Sequence, residues 1–488
     1  MAKKILAFDF GASSGRAMLA SFDGKTISME EIHRFSNDPV KLNGVFYWDI
    51  LRLMFEIKQG IVKAVNNGGF DAIGIDTWGV DFGLLDKDGR LLENPIHYRD
   101  ERTVGMIEAA AEVVPKSEMY SRTGCQFARL NTLFQLYSLR KQRPELLDRA
   151  ETMLFVPDLM AYFLTGVKKA EYTIASTSQM INPETKQWDM ELLEKLSIPT
   201  SILPEIIAPG TPYGLLSDEI CEELGAKKVP VIAVATHDTA SAVVSVPNTG
   251  NDFVYISCGT WSLFGTELPH PVINEKAEEH NFTNEGGYGG KIRFLKNIMG
   301  LWLIQESRRQ WIREGADVSY GDLEREALAV EPFKCFIDVD DPSFETPGNL
   351  PKRVQDFCAR TGQYVPQTRG EIMRCIYQSL AMKYRWTLEN LIDVTGKKYD
   401  AIHMVGGGTK DNLLCQMTAD FCNVKVIAGP IEATATGNIA VQLISLGELA
   451  DITAARKVIA DSLNPVYYQP GGKDCETAYR EFVKYIGK

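Results

Sequence analysis

The chain has 488 residues, 45% of them hydrophobic and 24% charged, which is typical of globular proteins and too long for one hydrophobic core. Its formal net charge of −12 argues against nucleic acids and anionic membranes as partners, because phosphate binding depends on clustered lysine and arginine. No apolar stretch approaches the roughly 20 residues that span a bilayer, and Asp9 interrupts the apolar start that would suggest a signal peptide.

The nine cysteines are scattered along the chain and form no CxxC pair. An odd number of separated cysteines favours reduced thiols in a cytoplasmic protein, with neither a disulfide framework nor a zinc site. The six histidines show no spacing typical of a metal site either. We therefore expect a cytoplasmic protein of at least two domains.

The first predicted element is a hairpin, in which two short apolar segments, 5–10 and 16–22, flank the turn Gly-Ala-Ser-Ser-Gly at 11–15. The turn is not a P-loop, since it lacks Gly-Lys-Ser/Thr and a following helix. Its amides and hydroxyls can still contact phosphate oxygens, and Arg16 can add a charged contact. Asp9 can hold Mg²⁺, usually through water. The alternative is an ordinary hairpin turn.

A buried strand is predicted at 71–77, and Asp76, Trp78 and Asp81 lie at its end or just after it. An indole face and carboxylates suit the apolar face and the hydroxyl rim of a sugar. The alternative is that Trp78 belongs to the hydrophobic core.

Another strand at 229–235 leads into the sequence Thr-His-Asp-Thr, with Asp238 at the expected start of a helix. The helix dipole favours a carboxylate there, and in phosphoryl transfer an aspartate accepts the proton of the attacking hydroxyl. The alternative is an ordinary N-cap aspartate.

The second half of the chain repeats the first hairpin: strands at 253–257 and 263–268 flank the small-residue turn 258–262. Two similar hairpins half a chain apart indicate two related lobes, with a boundary in the Pro/Gly/Asn-rich segment 245–252. The alternative is that the spacing arose by chance. Helices are expected at 300–313 and 370–395.

A strand at 401–405 enters three consecutive glycines, 406–408, before a helix that begins near Asp411. Glycines after a buried strand let a nucleotide lie directly on the backbone, whereas the alternative is a flexible loop. The alternation of strands and helices predicts an α/β fold with mostly parallel sheets.

Taken together, these segments resemble the FGGY family of carbohydrate kinases over nearly the whole chain. The segments that carry the resemblance are 9–16, 32–35, 74–82, 98–100, 236–242, 259–262, 284–287, 295–302 and 405–408. Residues 76–82 and 295–302 resemble the branch of the family that acts on L-rhamnulose. Cys258 stands where serine is commoner in the family, and residues 314–368 match only weakly.

The resemblance implies two actin-like (ribonuclease-H-like) lobes with a cleft between them: residues 1–246 for sugar and phosphate, and residues 247–488 for nucleotide. It implies ATP and Mg²⁺, and transfer of the γ-phosphoryl group to L-rhamnulose to give L-rhamnulose 1-phosphate. The implied ATP contacts are Ala12, Ser13, Ser14, Gly15, Arg16, Thr260, Gln305 and Gly407. The implied sugar contacts are Gly79, His237, Asp238, Thr239 and Asn297, with Asp238 as the base.

Three alternatives stay open at this point. The first is an FGGY kinase for another ketose, such as L-fuculose or a xylulose. The second is a sugar-independent ATPase of the actin or heat-shock-chaperone type, against which residues 236–239 and Asn297 argue. An interaction scaffold has little support, because the sequence contains no repeats and no low-complexity segments.

Overall fold

The computed structural model describes residues 2–248, 250, 252–462, 464–471 and 475–487. The strands are β1 (Lys3–Phe10), β2 (Ser14–Phe22), β3 (Ile27–Ser36), β4 (Val40–Leu42), β5 (Val45–Tyr47), β6 (Ala72–Thr77), β7 (Phe82–Leu85), β8 (Thr152–Phe155), β9 (Ala170–Glu171), β10 (Ile181–Asn182), β11 (Gln187–Trp188), β12 (Ile206–Ile207), β13 (Thr211–Leu215), β14 (Pro230–Ala233), β15 (Val254–Cys258), β16 (Trp261–Leu268), β17 (Thr283–Gly286), β18 (Ile292–Met299), β19 (Ala401–Val405), β20 (Lys425–Ala428) and β21 (Val466–Tyr468).

The helices are α1 (Ile50–Asn66), α2 (Met106–Ala111), α3 (Lys116–Thr123), α4 (Thr132–Gln142), α5 (Pro144–Arg149), α6 (Val156–Thr165), α7 (Tyr172–Ala175), α8 (Met190–Lys195), α9 (Asp218–Leu224), α10 (Asp238–Val244), α11 (Glu275–Glu279), α12 (Trp302–Arg313), α13 (Tyr320–Leu328), α14 (Leu350–Arg360), α15 (Arg369–Thr395), α16 (Asn412–Cys422), α17 (Ala433–Ser445), α18 (Ile452–Ser462) and α19 (Glu476–Val483). The strands and helices expected from the sequence are confirmed, with bounds that differ by a few residues.

The chain divides into two compact units. Unit 1 comprises Met1–Gly250, Glu267–Leu295 and Ala433–Leu463, and unit 2 comprises Asn251–Thr266, Lys296–Glu432 and Asn464–Lys488. The segments Glu267–Leu295 and Ala433–Leu463 thus belong to unit 1 although they follow the expected boundary. A single boundary along the sequence does not predict this arrangement. The expected boundary segment 245–252 includes positions 249 and 251, which lie outside the described residues. The functional division into 1–246 and 247–488 stays a prediction.

Unit 1 contains a six-stranded sheet in the order β13-β14-β6-β1-β2-β3. The hairpin β1–β2 is antiparallel, β1 pairs in parallel with β6, and β6 pairs in parallel with β14. Alternate residues of β1 enter two different hydrophobic clusters, Leu6 and Phe8 in one and Ile5 and Ala7 in the other. The central strands are therefore covered on both faces, which explains their continuous apolar sequence.

The two faces of this sheet are covered by helices from opposite ends of the chain. Ile57 and Ile61 of α1 join the cluster of Leu6 and Phe8, and Ile439 of α17 joins that of Ile5 and Ala7. A third cluster, of residues between 82 and 202, packs beside them in unit 1.

Unit 2 contains strands in the order β18-β16-β15-β19-β20-β21. Its hairpin β15–β16 is antiparallel, β15 pairs in parallel with β19, and β19 pairs in parallel with β20. Each unit thus has an antiparallel hairpin followed by two parallel strands. This shared topology confirms that the two predicted hairpins belong to related lobes. Both sheets are mixed, so the expectation of mostly parallel sheets is wrong, because hairpins and edge strands add antiparallel pairs.

No helix among the described residues is long and apolar enough to cross a membrane.

Candidate active site

Three carboxylates lie at the ends of neighbouring elements in unit 1. Asp9 of β1 is opposite Asp76 of β6 in the parallel register, and Asp238 is the first residue of α10. Thr77, next to Asp76, forms a bridge with His237 and so brings α10 to the end of β6. These three carboxylates are close enough to repel one another, because each of the other two raises the pKa of Asp76.

Asp9 is held by the arginine opposite it in the β1–β2 hairpin. Arg16 donates to Asp9 Oδ2 from Nε at 3.0 Å and from Nη2 at 2.7 Å. Both nitrogens go to one oxygen, so the second carboxylate oxygen of Asp9 is not used by this pair. The antiparallel register places Asp9 directly opposite Arg16.

Asp76 has no solvent exposure, and its oxygens differ in their environment. Oδ2 accepts a hydrogen bond from Asn438 Nδ2, while Oδ1 is buried without a hydrogen-bond partner among the described residues. Burial and the nearby Asp9 raise the pKa of Asp76 well above its ordinary value. A buried carboxylate oxygen without a donor is costly, and such atoms occur where a ligand or ion is expected.

Asp238 lies in a chain of charged and polar side chains. Arg293 Nη2 donates to His237 Nδ1 at 3.0 Å and lies 3.0 Å from Glu285 Oε2. Since arginine can only donate, His237 Nδ1 accepts, and a neutral ring carries its proton on Nε2. That nitrogen lies 3.4 Å from Asp238 Oδ1. The Nε2 side of the imidazole therefore faces the carboxylate of Asp238.

The electrostatic environment of Asp238 favours proton uptake. Burial raises the pKa of Asp238, His237 acts against this effect, and Asp9 adds to it. The side chain is nevertheless 32% exposed, so a substrate hydroxyl can reach it. Thr239 donates to Asp238 Oδ1 from its backbone N–H at 2.5 Å and from Oγ1 at 3.1 Å.

The backbone before α10 is fixed by the buried Glu171. Thr236 donates to Glu171 Oε2 from its backbone N–H at 3.1 Å and from Oγ1 at 2.7 Å. Glu171 also caps α7 through the backbone N–H groups of Thr173 and Ile174. The position of His237 and Asp238 is therefore set by two elements other than their own helix.

Asp238 begins α10, and the alternative of an ordinary N-cap aspartate is wrong by one position. His237 occupies the N-cap position, with φ −75° and ψ 121°, and Asp238 is already helical. Asp238 accepts from the N–H of its immediate neighbour, Thr239, instead of from the N–H groups two or three residues later that an N-cap residue satisfies.

The segment after β6 has a strained backbone beside a buried hydrogen-bond centre. Gly79 lies against Thr177, and Val80 has φ +67°, a value that a β-branched residue rarely adopts. Asp81 accepts from the indoles of Trp48 at 2.6 Å and Trp78 at 3.0 Å.

Trp78 is buried in the hydrophobic core and lies 4.1 Å from Trp48 between ring centroids. The structure thus favours the core role for Trp78 and a structural role for Asp81, and leaves the Gly79 backbone as the candidate sugar contact in this segment.

The first hairpin turn is closed by short-range hydrogen bonds. Gly11 N–H donates to Ser14 O at 2.9 Å, and Asn37 Nδ2 donates to Gly11 O at 2.9 Å. Ala12 and Ser14 are half-buried, and Ser13 is exposed. Gly15 is required for packing, since a Cβ there would lie 2.2 Å from the ring of Phe35.

In unit 2, backbone hydrogen bonds hold the turn at Gly259 and Thr260 against the start of α12, which carries Gln305. The N–H of Leu301 donates to Gly259 O at 3.0 Å, and that of Trp302 donates to Thr260 O at 3.1 Å. Gln305 follows one turn later in α12, and its N–H donates to Leu301 O at 2.8 Å. The Oε1 atom of Gln305 is buried and has no partner in the described part of the chain.

The three glycines after β19 have different environments. Gly406 has φ +87°, and a Cβ on Gly408 would lie 2.2 Å from Cys258 Sγ. A Cβ on Gly407 would meet nothing within 4 Å, so this backbone borders open space. Gly407–Lys410 form a 3₁₀ turn before α16 begins at Asn412. Cys258 therefore packs two turns together, and Gly407 is the position open to a ligand.

Asn297, the remaining predicted sugar contact, lies near the end of β18 in unit 2 and is half-buried. Its neighbour Lys296 is almost fully buried, and burial together with Lys383 lowers its pKa to about 8. The amino group of Lys296 lies 5.5 Å from the ring centroid of Trp386.

The three carboxylates fit a Mg²⁺ ion held through water. Carboxylate oxygens are the ligands that Mg²⁺ prefers, and Asp76 Oδ1 is buried without a donor. The ligand oxygens of Asp9, Asp76 and Asp238 do not form a group within 4.8 Å of one another in the described chain. Because Mg²⁺ usually keeps several waters, this wider spacing suits an ion bound partly through its water shell.

Reasoning from the sequence missed three residues of this arrangement, namely Asn438, Arg293 and Glu285. They lie far from Asp76 and His237 along the chain. Glu285 falls in the segment 284–287 that carries the family resemblance, but nothing in the sequence assigns a role to any of the three. For Asn438 the sequence does contain one signal. Asn438 and Gln442 are polar residues one turn apart in an otherwise apolar helix, a pattern that indicates a buried polar contact.

Two family models match the chain. The N-terminal domain model of the FGGY family of carbohydrate kinases covers residues 4–245, and the C-terminal domain model covers residues 254–446.

Curated relatives match nearly the full length. The chain is 44% identical over 471 residues to a protein named rhamnulokinase from Bacteroides thetaiotaomicron, covering 96% of both chains. It is 43% identical to one of the same name from Halalkalibacterium halodurans, covering 95% of this chain and 98% of that protein. It is 40% identical to one from Bacillus subtilis, covering 99% and 98%.

Solved structures share the fold at low sequence identity. A xylulose kinase from Lactobacillus acidophilus has a TM-score of 0.80 at 18% identity, covering 99% of this chain and 97% of that chain. A Plasmodium falciparum glycerol kinase with ADP has a TM-score of 0.77 at 16% identity, covering 99% and 98%. These similarities confirm the expected α/β fold class with two actin-like lobes.

Proposed function

The chain belongs to the FGGY family of carbohydrate kinases, and on this basis we propose that it transfers the γ-phosphoryl group of ATP to L-rhamnulose. The product is L-rhamnulose 1-phosphate. Similarity to several proteins named rhamnulokinase, at 40 to 44% identity over nearly the full chain, supports this substrate over another ketose. Membership of the family also excludes the sugar-independent ATPase that the sequence left open. We keep the cytoplasm as the expected location.

The observation that carries the proposal is the contact of Asp238 with His237. A phosphoryl-transfer base needs precise placement more than high basicity, because catalysis comes mainly from positioning and charge stabilisation. Asp238 accepts hydrogen bonds from Thr239, lies beside the His237 ring, and remains partly exposed. It is proposed to orient the primary hydroxyl of the sugar and to accept its proton.

The phosphate groups of ATP are assigned to the first hairpin and to the carboxylates beside it. Ala12, Ser13, Ser14 and Gly15 offer turn amides and hydroxyls, and Arg16 offers a guanidinium already oriented by Asp9. Mg²⁺, when bound, neutralises the phosphate oxygens. Asp9 is proposed to hold this ion through water, with Asp76 beside it.

In unit 2, Thr260, Gln305 and Gly407 are the proposed ATP contacts. The buried Oε1 of Gln305 lacks a donor, and the backbone at Gly407 borders open space. Both properties suit a bound nucleotide, which supplies N–H donors and a flat surface. Gly79, His237, Thr239 and Asn297 are the proposed contacts of the sugar.

The test is an ADP-release assay with Mg-ATP against L-rhamnulose, L-fuculose, D- and L-xylulose, D-ribulose and glycerol. We expect kcat/KM for L-rhamnulose to exceed that for every other acceptor by at least about 100-fold, which corresponds to about 2.7 kcal/mol of transition-state discrimination. The Asp238→Asn variant serves as the blank. A higher kcat/KM for another acceptor would overturn the substrate assignment, and ADP release unaffected by any sugar would overturn the kinase assignment.

A further inference from the structure

Three cysteines that are far apart in the sequence meet inside unit 2. Cys335 lies in the loop after α13, Cys358 in α14 and Cys375 in α15, and all three are buried, with at most 3% exposure. Their Sγ atoms all lie within 4.8 Å of one another. No spacing in the sequence marks this group, because separations of 23 and 17 residues do not match a metal-binding motif.

The loop that carries Cys335 is fixed on both sides of the cysteine. Gln378 Nε2, from α15, donates to Cys335 O at 2.9 Å, and the N–H of Ile337 donates to Ser379 Oγ at 3.0 Å. Side-chain hydrogen bonds thus tie the loop directly to the helix that carries Cys375.

A second set of hydrogen bonds ties the same loop to the end of α14. The N–H of Phe336 donates to Gln363 Oε1 at 2.8 Å, and the N–H of Gln363 donates to Cys358 O at 2.9 Å. The three thiols are therefore preorganised by three elements that are cross-linked independently of the sulfur atoms.

We propose that Cys335, Cys358 and Cys375 form a binding site for a thiophilic divalent cation, of which Zn²⁺ is the best match. Thiolate sulfur is the ligand that Zn²⁺ prefers among soft donors. A Zn–S distance of about 2.3 Å in tetrahedral geometry places the sulfurs about 3.8 Å apart. The observed spacing reaches this value through side-chain movements of about 1 Å or less.

Cys335 and Cys375 also line a small pocket with room for about one water, which can serve as the fourth ligand. Three protein ligands and one water form an accepted zinc arrangement. The pocket wall also includes Arg374 and Lys334. Zn²⁺ with three thiolates carries one negative charge, which these cations offset.

Arg374 supplies a further observation, since its Nε atom is buried and has no hydrogen-bond partner within the described part of the chain. The amino group of Lys334 already pairs with the carboxylates of Glu331 at 3.2 Å and Glu371 at 3.7 Å. Arg374 is therefore the main positive charge that offsets the negative charge of the zinc site. A bound ion would link the loop and α14 to α15. The loop and α14 lie within residues 314–368, for which the sequence suggested no role.

The test is a titration of the reduced, metal-free protein with Co²⁺, which absorbs in the visible and near-ultraviolet regions when tetrahedral thiolates bind it. We expect one Co²⁺ per chain, a thiolate-to-cobalt band, and loss of the spectrum when Zn²⁺ is added. Cys335→Ser, Cys358→Ser and Cys375→Ser should each weaken binding at least about 100-fold. Cys422→Ser, which alters a half-buried cysteine outside the group, is the matched control.

A thiol count on the denatured protein verifies that all nine cysteines are reduced before the titration. Arg374→Met tests the site without touching a sulfur, and it should weaken Co²⁺ binding while the folded protein keeps its circular dichroism. Absence of the thiolate band in the reduced wild type, or its persistence in the three cysteine variants, would overturn the proposal.

Discussion

Asn438 Nδ2 donates a hydrogen bond of 2.6 Å to Asp76 Oδ2, joining two buried residues that are 362 positions apart in the chain. Gln442 Nε2 in turn donates to Asn438 Oδ1 at 2.7 Å. A Cβ on Gly74 would lie 2.5 Å from Asn438 Oδ1, so the missing side chain of that glycine makes room for the pair. Asp76 thus depends on a helix from the last part of the chain.

Asn438→Ala should lower the free energy of unfolding by about 2 to 3 kcal/mol, because a buried carboxylate loses its donor. Urea denaturation at neutral pH measures this loss. Gln416→Ala, which changes a half-buried amide of α16 in unit 2, is the control and should cost less. A wild-type stability for Asn438→Ala would show that Asp76 does not need this donor.

Asp238→Asn should reduce kcat at least about 1,000-fold, since the substituted amide can neither accept the hydroxyl proton nor stabilise it. The dissociation constant of ATP should stay within about threefold of the wild type, because the change leaves the phosphate contacts in place. Steady-state kinetics and calorimetric ATP titration measure the two values. Substitution of the exposed Asp218 by Asn should change neither. Full activity of Asp238→Asn would refute its role as the base.

His237→Ala should shift the acidic limb of the kcat/KM profile to higher pH. His237 acts to lower the pKa of Asp238, whereas burial and Asp9 raise it. Without the imidazole, Asp238 holds its proton up to a higher pH and is inactive as a base over a wider acidic range. Initial rates across the acidic and neutral range give the profile. A profile with an unchanged acidic limb and a uniformly lower rate would indicate only a sugar-binding role.

Asp81 makes stability depend on pH. Burial raises the pKa of Asp81 to about 6, despite donors from Trp48, Gln135 and Trp78 that act against the shift. A raised carboxyl pKa means that the folded state binds the proton more tightly, so stability is lost as pH rises from about 4 to about 6. The loss should be about 3 kcal/mol.

Asp81→Asn removes this titration, so its free energy of unfolding should change less than that of the wild type between pH 4 and pH 7. Chemical denaturation at the two values measures the difference. Parallel pH dependences for the two proteins would show that Asp81 remains ionised throughout.

Two adjacent glycines allow a matched pair of substitutions. Gly408→Ala should destabilise the protein by about 1 to 3 kcal/mol, because its Cβ meets Cys258 and a packed interior does not yield easily. Gly407→Ala should leave the melting temperature unchanged, since its Cβ enters open space, but should weaken ATP binding. Thermal melts with and without ATP separate the two effects. Equal ATP affinity for Gly407→Ala and the wild type would remove Gly407 from the proposed nucleotide site.

Local patterns predicted much of the fold. The apolar segments at 5–10 and 16–22 form the expected hairpin because both faces of these strands are covered. The second hairpin follows the same pattern, and Asp238 begins a helix as expected. Short-range patterns succeed here because hydrophobic periodicity and turn residues act over a few positions.

Long-range contacts were beyond the reach of one sequence. The partner of Asp76 is in α17, the charged pair behind His237 is in β17 and β18, and the three thiols come from separate elements. In each case the contact depends on the packing of distant segments, and such packing produces no regular residue spacing in the sequence. The positive φ of Val80 could not be predicted either, because valine is not a residue type associated with that backbone conformation.

The return of Ala433–Leu463 to unit 1 has a consequence for synthesis. Ribosomes add about 5 to 20 residues per second, so α17 emerges about 10 to 40 s after residue 250 has been made. During that interval the sheet face that α17 covers stays without Ile439 and its neighbours, and Asp76 lacks its donor. The first half of the nascent chain therefore stays incompletely folded and accessible to chaperones until residues 433–463 have been made.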